Sequence, residues 1–183
     1  GIAIAKGLTE LMGGSIAAKS GREKGTVFRV ELAFDRMEEK EETETESEAL
    51  AGKRLLLAED DRLCGEILCE LLEDETGRPV SIAANGRAAL EMFESANGEY
   101  DAIIMDVQMP VMNGYEAARA IRRSGCGNAK TVPIIALTAD ASEESARSAA
   151  DSGMNGCLAK PVNIDRLRKA VAAALKSLSV AYR

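Results

Sequence analysis

An alternation of short apolar runs with amphipathic stretches, repeated five times between residues 52 and 183, constrains the fold more than any other feature of this sequence. The apolar runs predict strands at Arg54–Ala58, Val80–Ala83, Ala102–Met105, Pro133–Leu137 and Cys157–Ala159. The amphipathic stretches predict helices at Arg62–Glu73, Arg87–Glu94, Gly114–Arg122, Glu143–Ser152 and Ile164–Leu178. Strands that are apolar at every position are typical of parallel sheets covered on both faces. The pattern therefore predicts an α/β fold with a five-stranded, doubly wound parallel sheet.

Residues 1–34 show a different pattern, which predicts one helix followed by two strands. Apolar residues recur at helical spacing between positions 2 and 12, and a pair of glycines then ends the helix. Strands are predicted at Ser15–Lys19 and Thr26–Ala33, joined by a polar turn. One helix and two strands bury too little apolar surface for a stable domain. We therefore expect a partial α+β fragment of a larger domain, in a chain that is a piece of a longer protein.

An acidic segment, residues 35–51, separates these two regions. Residues 35–48 hold eight acidic and two basic side chains, so they carry −6 of the chain's net charge of −7. Mutual repulsion and the scarcity of apolar residues predict a solvated, extended linker. An acidic interaction tail and a short exposed helix are the alternatives. The rest of the chain is nearly neutral, which argues against binding to nucleic acid or to an anionic membrane.

The composition excludes several functions. The chain contains no histidine, which rules out a Ser-His-Asp triad, histidine-ligated zinc and a phosphohistidine carried by the chain itself. No apolar run approaches the roughly 18 residues of a membrane span. The four cysteines, at positions 64, 69, 126 and 157, fit no zinc or redox spacing. We therefore expect reduced thiols and a cytoplasmic location.

Polar residues suited to chemistry stand at the ends of four predicted strands. Glu59 and Asp60 follow the first strand, Asp106 the third, Thr138 the fourth and Lys160 the fifth. The carboxyl ends of parallel strands meet at one edge of the sheet, where doubly wound folds place their functional groups. We therefore expect these five side chains to form one site.

This set of side chains favours phosphoryl transfer. Carboxylates held close together need a cation to stay ionised, and Mg²⁺ binds one or two carboxylates together with phosphate oxygens. Lys160 supplies a positive charge and Thr138 a hydrogen-bond donor, which suit a transferring phosphoryl group. Asp106 is the candidate nucleophile, forming an aspartyl phosphate. Because no glycine-rich phosphate loop follows the first strand, a nucleotide is not the expected donor at this site.

The same motifs resemble the receiver domain of two-component signalling. They are the acid pair at 59–60, the stretch Asp106–Gly114, the Leu-Thr-Ala run at 137–139 and the Lys-Pro step at 160. All four occur in the family order, so the resemblance identifies residues 52–183 as a receiver domain with the flavodoxin-like fold.

The resemblance also assigns roles to the site residues. Asp106 would be the phosphoacceptor, Thr138 the switch hydroxyl that moves toward the phosphoryl group, and Lys160 the lysine that contacts it. The Lys160–Pro161 peptide bond is expected to be cis. The implied ligands of Mg²⁺ are Glu59, Asp60, Asp106 and the backbone carbonyl of Gln108.

Residues 1–34 resemble the end of a histidine-kinase ATP-binding domain, through Gly1–Ile16 and Gly25–Leu32. The order of kinase end, linker and receiver resembles the C-terminal part of a hybrid histidine kinase. ATP would then bind only in the intact parent, whose ATP-binding motifs lie upstream. The implied phosphoryl donor is a phosphohistidine of the parent kinase, and the implied acceptor is a histidine phosphotransfer protein. The resemblance also allows a parent that is membrane-bound and dimeric.

Two departures from the family pattern concern regulation. Cys157 stands three residues before Lys160, where the family commonly has an aromatic side chain that couples to Thr138. Gln108 and Asp140 flank the route of an attacking water, and we expect them to tune the lifetime of the aspartyl phosphate.

Other residues near the site have simpler predicted roles. The methionines at 105, 109 and 112 are expected to pack in the core and the loop. One side of the first helix, Leu63, Ile67 and Leu71, is expected either to join the core or to dock a partner. The predicted helix N-caps are Asp61, Asn85, Ser142 and Asn163.

Two other functions fit part of the pattern. A receiver-like module that cannot be phosphorylated would act as a docking or inhibitory surface, but the full set of site residues argues against it. A phosphatase of the haloacid dehalogenase type also uses an aspartate nucleophile. That class needs a second aspartate two residues further on, where this chain has Gln108.

Overall fold

The computed structural model describes residues 6, 9, 14–21, 25–32, 50–140 and 142–181. The chain divides into two compact units, Gly1–Glu41 and Glu42–Arg183. Of the predicted helix before residue 13, only residues 6 and 9 are described, and both are helical. The turn at 22–24 and the predicted linker up to residue 49 lie outside the described residues. The boundaries at residues 34 and 51 therefore stay predictions.

The first unit contains an antiparallel pair of strands, β1 (Ser15–Gly21) and β2 (Gly25–Glu31). Both predicted strands are confirmed, and the register pairs Ala18 with Phe28. Phe28 and Val30 are about half exposed, so the hairpin leaves apolar side chains uncovered.

The second unit alternates strands and helices from residue 55 onward. Its strands are β3 (Leu55–Ala58), β4 (Ser81–Ala83), β5 (Ala102–Asp106), β6 (Ile134–Thr138) and β7 (Gly156–Ala159). Its helices are α1 (Arg62–Thr76), α2 (Gly86–Ser95), α3 (Gly114–Ser124), α4 (Glu143–Asp151) and α5 (Ile164–Ala181). The ten elements predicted for this region are confirmed, and their ends differ from the prediction by a few residues at most.

The five strands form one parallel sheet in the order β4-β3-β5-β6-β7. This order is the flavodoxin-like arrangement, so the predicted fold class of the second unit is confirmed. The strand order reverses between β3 and β5. At such a reversal the connections leave the sheet on opposite faces and open a crevice beyond the carboxyl ends of the strands.

Successive residues of the central strands point to opposite faces of the sheet, and both faces are covered. Leu56 and Ile103 pack with side chains of α2 and α3. Leu57 and Ile104 pack with side chains of α1 and α5. This double cover explains why these strands are apolar at every position.

Side-chain caps fix where the helices begin. Asp61 accepts a hydrogen bond from the backbone N–H of Cys64 at 2.8 Å, which confirms it as the cap of α1 and lowers the pKa of its carboxyl. Helix α3 begins with a reciprocal capping box between Asn113 and Glu116. That box was not among the predicted caps, although its Asn-x-x-Glu spacing is visible in the sequence. The predicted caps at Asn85, Ser142 and Asn163 are also confirmed, because the side chain of each accepts a hydrogen bond from the backbone N–H three residues further on.

Helix α1 carries two apolar stripes, and only one of them is buried. Leu68 and Leu72 pack into the core, whereas Leu63, Ile67 and Leu71 are 67%, 51% and 38% exposed. The expectation that the second stripe joins the core is therefore wrong, because a helix lying on one face of a sheet buries a single stripe. Neither α1 nor any other helix among the described residues is long and apolar enough to cross a membrane.

Candidate functional site

The carboxyl edge of the five-stranded sheet gathers the side chains that the sequence predicts as a site. Glu59 follows β3 and is buried, while its neighbour Asp60 is exposed. Asp106 is the last residue of β5 and Thr138 the last of β6, and both are buried. Lys160 follows β7 directly. Five side chains from four strands thus stand at one edge.

Lys160 bridges the two buried carboxylates. Its Nζ donates to Glu59 Oε2 at 2.6 Å and to Asp106 Oδ2 at 2.8 Å. These partners lie 101 and 54 residues away along the chain, so the sheet alone brings the three groups together. The peptide bond between Lys160 and Pro161 is cis, as the resemblance implies.

Burial and charge shift the proton affinities within this cluster. Burial, reinforced by the charge of Asp106, raises the pKa of Glu59, although the hydrogen bond from Lys160 lowers it in part. Burial by itself lowers the pKa of Lys160, but hydrogen bonds to Asp106 and Glu59 and their negative charges outweigh burial and raise it. Lys160 therefore stays protonated at neutral pH.

The three acidic side chains fit a hard divalent cation. Glu59, Asp60 and Asp106 each place a carboxylate oxygen within 4.8 Å of the others. Carboxylate oxygens are the ligands that Mg²⁺ prefers in proteins. One ammonium that pairs with two of these three carboxylates leaves negative charge that a divalent cation would neutralise. The donor set therefore suits Mg²⁺.

The loop after β5 holds Asp106 in place. The backbone N–H of Gln108 donates to Asp106 Oδ1 at 3.0 Å, so both carboxylate oxygens have a donor. The first turn of α3 lies against the end of β5, where a Cβ at Gly114 would overlap the backbone oxygen of Asp106. Only glycine permits this close approach. The side chain of Gln108 itself is exposed.

Thr138 stands at the edge but does not join the ion cluster. Its hydroxyl donates to the backbone oxygen of Asp140 at 3.1 Å and accepts from the Asp140 N–H at 3.3 Å. The backbone N–H of Lys160 donates to the carbonyl oxygen of Thr138 at 2.7 Å, but no hydrogen bond between described residues links the Thr138 hydroxyl to Asp106 or to Lys160. Cys157, at the position of the family's aromatic residue, is partly buried, and burial raises the pKa of its thiol.

An open groove of about 500 Å³ adjoins the ion cluster. We call it the α1 groove; its lining residues include Ile67, Leu71, Glu59, Lys160, Pro161 and Val162. The sequence marked Pro161 only as part of the Lys-Pro step, and Val162 was missed as a site residue. No sequence signal marks Val162, because its position beside α1 depends on how β7 and α1 pack.

Comparisons with known proteins place the second unit in a family. Residues 55–172 match the family described as the response regulator receiver domain. The virulence sensor protein BvgS of Bordetella bronchiseptica is 32% identical over 181 residues, and the sensor histidine kinase AruS of Pseudomonas aeruginosa is 34% identical over 173 residues. These matches cover 92% and 93% of this chain, which is more than the receiver region alone. The chain spans only 14% and 17% of the length of these two relatives.

Solved structures agree with this assignment. The receiver domain of the sensor histidine kinase PA1611 from Pseudomonas aeruginosa, with a magnesium ion coordinated in its active-site cleft, is 36% identical with a TM-score of 0.59. The match covers 69% of this chain and 99% of that domain. The receiver domain of Ssk1 from Saccharomyces cerevisiae, in complex with the histidine phosphotransfer protein Ypd1, is 32% identical with a TM-score of 0.59. That match covers 67% of this chain and 88% of the Ssk1 chain.

Proposed function

Because this chain belongs to the response regulator receiver family, we propose that it accepts a phosphoryl group from phosphohistidine on Asp106 in a Mg²⁺-dependent reaction. The observation that carries the proposal is the Lys160 bridge between Glu59 and Asp106. It places the candidate nucleophile next to a fixed positive charge, where a phosphoryl group with its negative oxygens is stabilised.

In the proposed reaction, a carboxylate oxygen of Asp106 forms a bond to phosphorus as the bond from phosphorus to the imidazole nitrogen breaks. The electron pair of the broken bond stays on the imidazole, and Asp106 becomes an acyl phosphate. Lys160 neutralises charge on the transferring oxygens. Bound by Glu59, Asp60, Asp106 and the backbone carbonyl of Gln108, Mg²⁺ would supply further charge neutralisation.

Thr138 has the proposed role of reporting the phosphorylated state. Phosphorylation adds roughly −1.5 to −2 units of charge and three acceptor oxygens to Asp106. The hydroxyl of Thr138 would then leave its two hydrogen bonds to the backbone of Asp140 and donate to the phosphoryl group. The resulting shift in population is the proposed signal.

The proposed parent is a hybrid histidine kinase. The matches to BvgS and AruS extend beyond the receiver region, which supports the interpretation of residues 1–34 as the end of a kinase ATP-binding domain. ATP binding would belong to the intact parent, which would also supply the phosphohistidine donor. The receiver would operate in the cytoplasm, on a parent that is membrane-bound and dimeric.

The proposed acceptor is a histidine phosphotransfer protein. The Ssk1 receiver, which is similar to this chain, forms a complex with such a protein. The exposed stripe of Leu63, Ile67 and Leu71 and the α1 groove, which is lined by Glu59 and Lys160, offer an apolar surface beside the ion cluster for docking it. In this proposal the second stripe of α1 stays out of the core because it serves a partner.

Intact mass spectrometry tests the proposal most directly. The chain is incubated with acetyl phosphate, with and without Mg²⁺, alongside the Asp106→Asn variant. We expect a gain of one phosphoryl group that needs Mg²⁺ and is absent in the variant. A folded, Mg²⁺-binding chain that gains nothing from acetyl phosphate or from a phosphohistidine donor would instead be a docking module.

A further inference from the structure

The aspartyl phosphate proposed for Asp106 has two electrophilic atoms, the phosphorus and the acyl carbon Cγ. Attack at phosphorus releases the carboxylate unchanged. Attack at Cγ by the backbone nitrogen of the next residue, Val107, closes a five-membered succinimide ring and expels phosphate. A cyclised Asp106 has lost its carboxylate and accepts no further phosphoryl group. A phosphoacceptor that is used repeatedly therefore needs its own backbone kept away from the acyl carbon.

The contacts of the Asp106 carboxylate activate this carbon. The backbone N–H of Gln108 donates to Oδ1 at 3.0 Å, and Lys160 Nζ donates to Oδ2 at 2.8 Å. Whichever oxygen receives the phosphoryl group, the other becomes the acyl carbonyl oxygen and has a hydrogen-bond donor. Such a donor stabilises the negative charge that forms on a carbonyl oxygen during attack at its carbon, as in an oxyanion hole. The site therefore favours attack at the carbon as well as at phosphorus.

The strand pairing holds the nitrogen of Val107 away from Cγ. Asp106 pairs with Leu137 in the parallel sheet, and the N–H of Val107 donates to the Leu137 oxygen at 2.9 Å. An extended backbone directs this N–H across the sheet, whereas ring closure needs the peptide rotated toward the Asp106 side chain. Val107 is also buried. Ring closure in the folded chain would therefore cost a buried backbone hydrogen bond.

Helix α3 fixes the same peptide from another direction. The N–H of Gly114, the first residue of α3, donates to the Val107 oxygen at 3.0 Å. A Cβ at Gly114 would overlap the Asp106 oxygen and lie 3.0 Å from Val107 Cα. The glycine thus lets α3 lie directly against the peptide between Asp106 and Val107. A side chain at position 114 would displace this peptide.

We propose that the fixed peptide between Asp106 and Val107, for which Gly114 is the positioning residue, confines the breakdown of the aspartyl phosphate to phosphorus. The inference rests on the proposed function. In the reaction that is prevented, the bond from Val107 nitrogen to Cγ forms as the bond from Cγ to the phosphate oxygen breaks. Phosphate leaves with the electron pair, and the amide proton passes to water. The product is lighter than the unphosphorylated chain by one water.

The test follows the chain through phosphorylation and dephosphorylation by intact mass. Native, Gly114→Ala and Gly86→Ala chains are phosphorylated with phosphoramidate and Mg²⁺, the donor is removed, and the released phosphate is measured. Gly86→Ala is the matched control, because a Cβ there would lie 2.5 Å from the Met112 oxygen and 2.9 Å from Ala117 Cβ. It is equally crowded but leaves the peptide after Asp106 untouched. Peptide mapping locates the lost water.

We expect the native and Gly86→Ala chains to return to their starting mass. Gly114→Ala should form at least about 10-fold more of the product that has lost water, because a displaced peptide lets the Val107 nitrogen reach Cγ. The yield is counted per phosphate released, so slower phosphorylation of a variant does not change it. The same chains kept without donor should lose no water.

Unfolding the phosphorylated native chain gives a second measurement that needs no variant. Transfer into concentrated urea breaks the hydrogen bond between Val107 and Leu137, and the product that has lost water should then appear. The folded chain, held for the same time without urea, should release phosphate and keep the Asp106 carboxylate. This comparison decides the inference if Gly114→Ala does not fold.

Three results would overturn the inference. Equal yields from folded Gly114→Ala and Gly86→Ala would show that Gly114 does not position the peptide. Loss of water from the folded native chain at the yield found in urea would show that the fold gives no protection. No loss of water in urea would show that the backbone does not attack the acyl carbon even when it is free. A native chain that gains no phosphoryl group from phosphoramidate would instead contradict the proposed function.

Discussion

The carboxylates at the two edges of the five-stranded sheet are paired differently with positive charge. At the carboxyl edge, Lys160 is shared between two buried carboxylates, and the carboxylate of Asp60 lies close by. At the amino edge, the Asp101 carboxylate accepts the backbone N–H of Arg54 at 2.8 Å and the ammonium of Lys53 at 3.2 Å. The first edge has three carboxylates beside one ammonium, whereas at the second edge one carboxylate meets one ammonium and one backbone N–H.

Arg122 shows the same matching at the amino edge. It donates to the backbone oxygens of Gly153 and Ala129 at 2.9 and 2.8 Å, and to Asn155 Oδ1 at 3.0 Å. Burial lowers the pKa of its guanidinium, yet each of these three contacts places an acceptor opposite a donor. Asn155 Oδ1 also accepts from Ile134 N–H, so this cluster ties the start of β6 to the loop before β7.

The difference teaches how to separate a functional from a structural polar cluster. A buried polar group costs free energy unless it is hydrogen-bonded, and a fold that needs only stability satisfies each one. The contacts of Asp101 and Arg122 at the amino edge follow that rule, whereas the buried Asn128 Oδ1 at the same edge has no hydrogen-bond partner among the described residues. The carboxyl edge keeps surplus negative charge, which is useful only when a cation and a phosphoryl group arrive.

The largest expected difference is in the phosphorylation rate, between variants of two lysines that stand at opposite edges of the sheet. Lys160→Met should slow phosphorylation of Asp106 by acetyl phosphate about 10²- to 10³-fold, because the transferring oxygens lose a fixed charge. It should also tighten Mg²⁺ binding, since the ion no longer competes with an ammonium. Lys53→Met, the matched control, should change neither. Equal phosphorylation rates in the two variants would end the distinction between the edges.

Replacing Arg122 should lower the stability of the fold and leave the phosphorylation of Asp106 unchanged. Arg122→Met leaves the oxygens of Gly153 and Ala129 without their donor and should lower the free energy of unfolding by about 2–4 kcal/mol. Urea denaturation measures this loss, while the phosphorylation rate of the folded variant should not change. The neighbouring Arg123, which is exposed, provides the control Arg123→Met. A slower phosphorylation rate in folded Arg122→Met would contradict a purely structural role.

The smallest expected effects separate two adjacent carboxylates. Asp61→Ala removes the cap of α1 and should slightly lower the free energy of unfolding without weakening Mg²⁺ binding. Asp60→Ala should weaken Mg²⁺ binding by at least about 10-fold and leave stability unchanged. Calorimetric titration with Mg²⁺ and urea unfolding measure the two effects. Asp61→Asn, which preserves a capping oxygen, should behave as the native chain.

The sequence predicted the fold of the second unit and the membership of the candidate site for one reason. Helices and strands are marked by local periodicity, and local side chains such as Asp61 and Asn85 cap the helices. Parallel strands then bring their carboxyl ends to one edge, whatever their separation along the chain. That is why Glu59, Asp106 and Lys160 could be grouped before their distances were known.

The sequence failed where the outcome depends on how elements pack. Leu63 and Leu68 are both leucines of the same helix, yet one is 67% exposed and the other 7%. No local rule distinguishes them, because the face of α1 that meets the sheet is set by β3 and α5. The place of Val162 in the α1 groove has the same origin.

The order of elements and the site residues were therefore determined by the sequence itself, because periodicity, capping and strand ends are local properties that survive in any correct packing. The tertiary structure alone decided which carboxylates Lys160 bridges and which stripe of α1 stays in solvent. These depend on contacts between segments far apart in the chain, and contact free energies of that kind exist only once the sheet has formed.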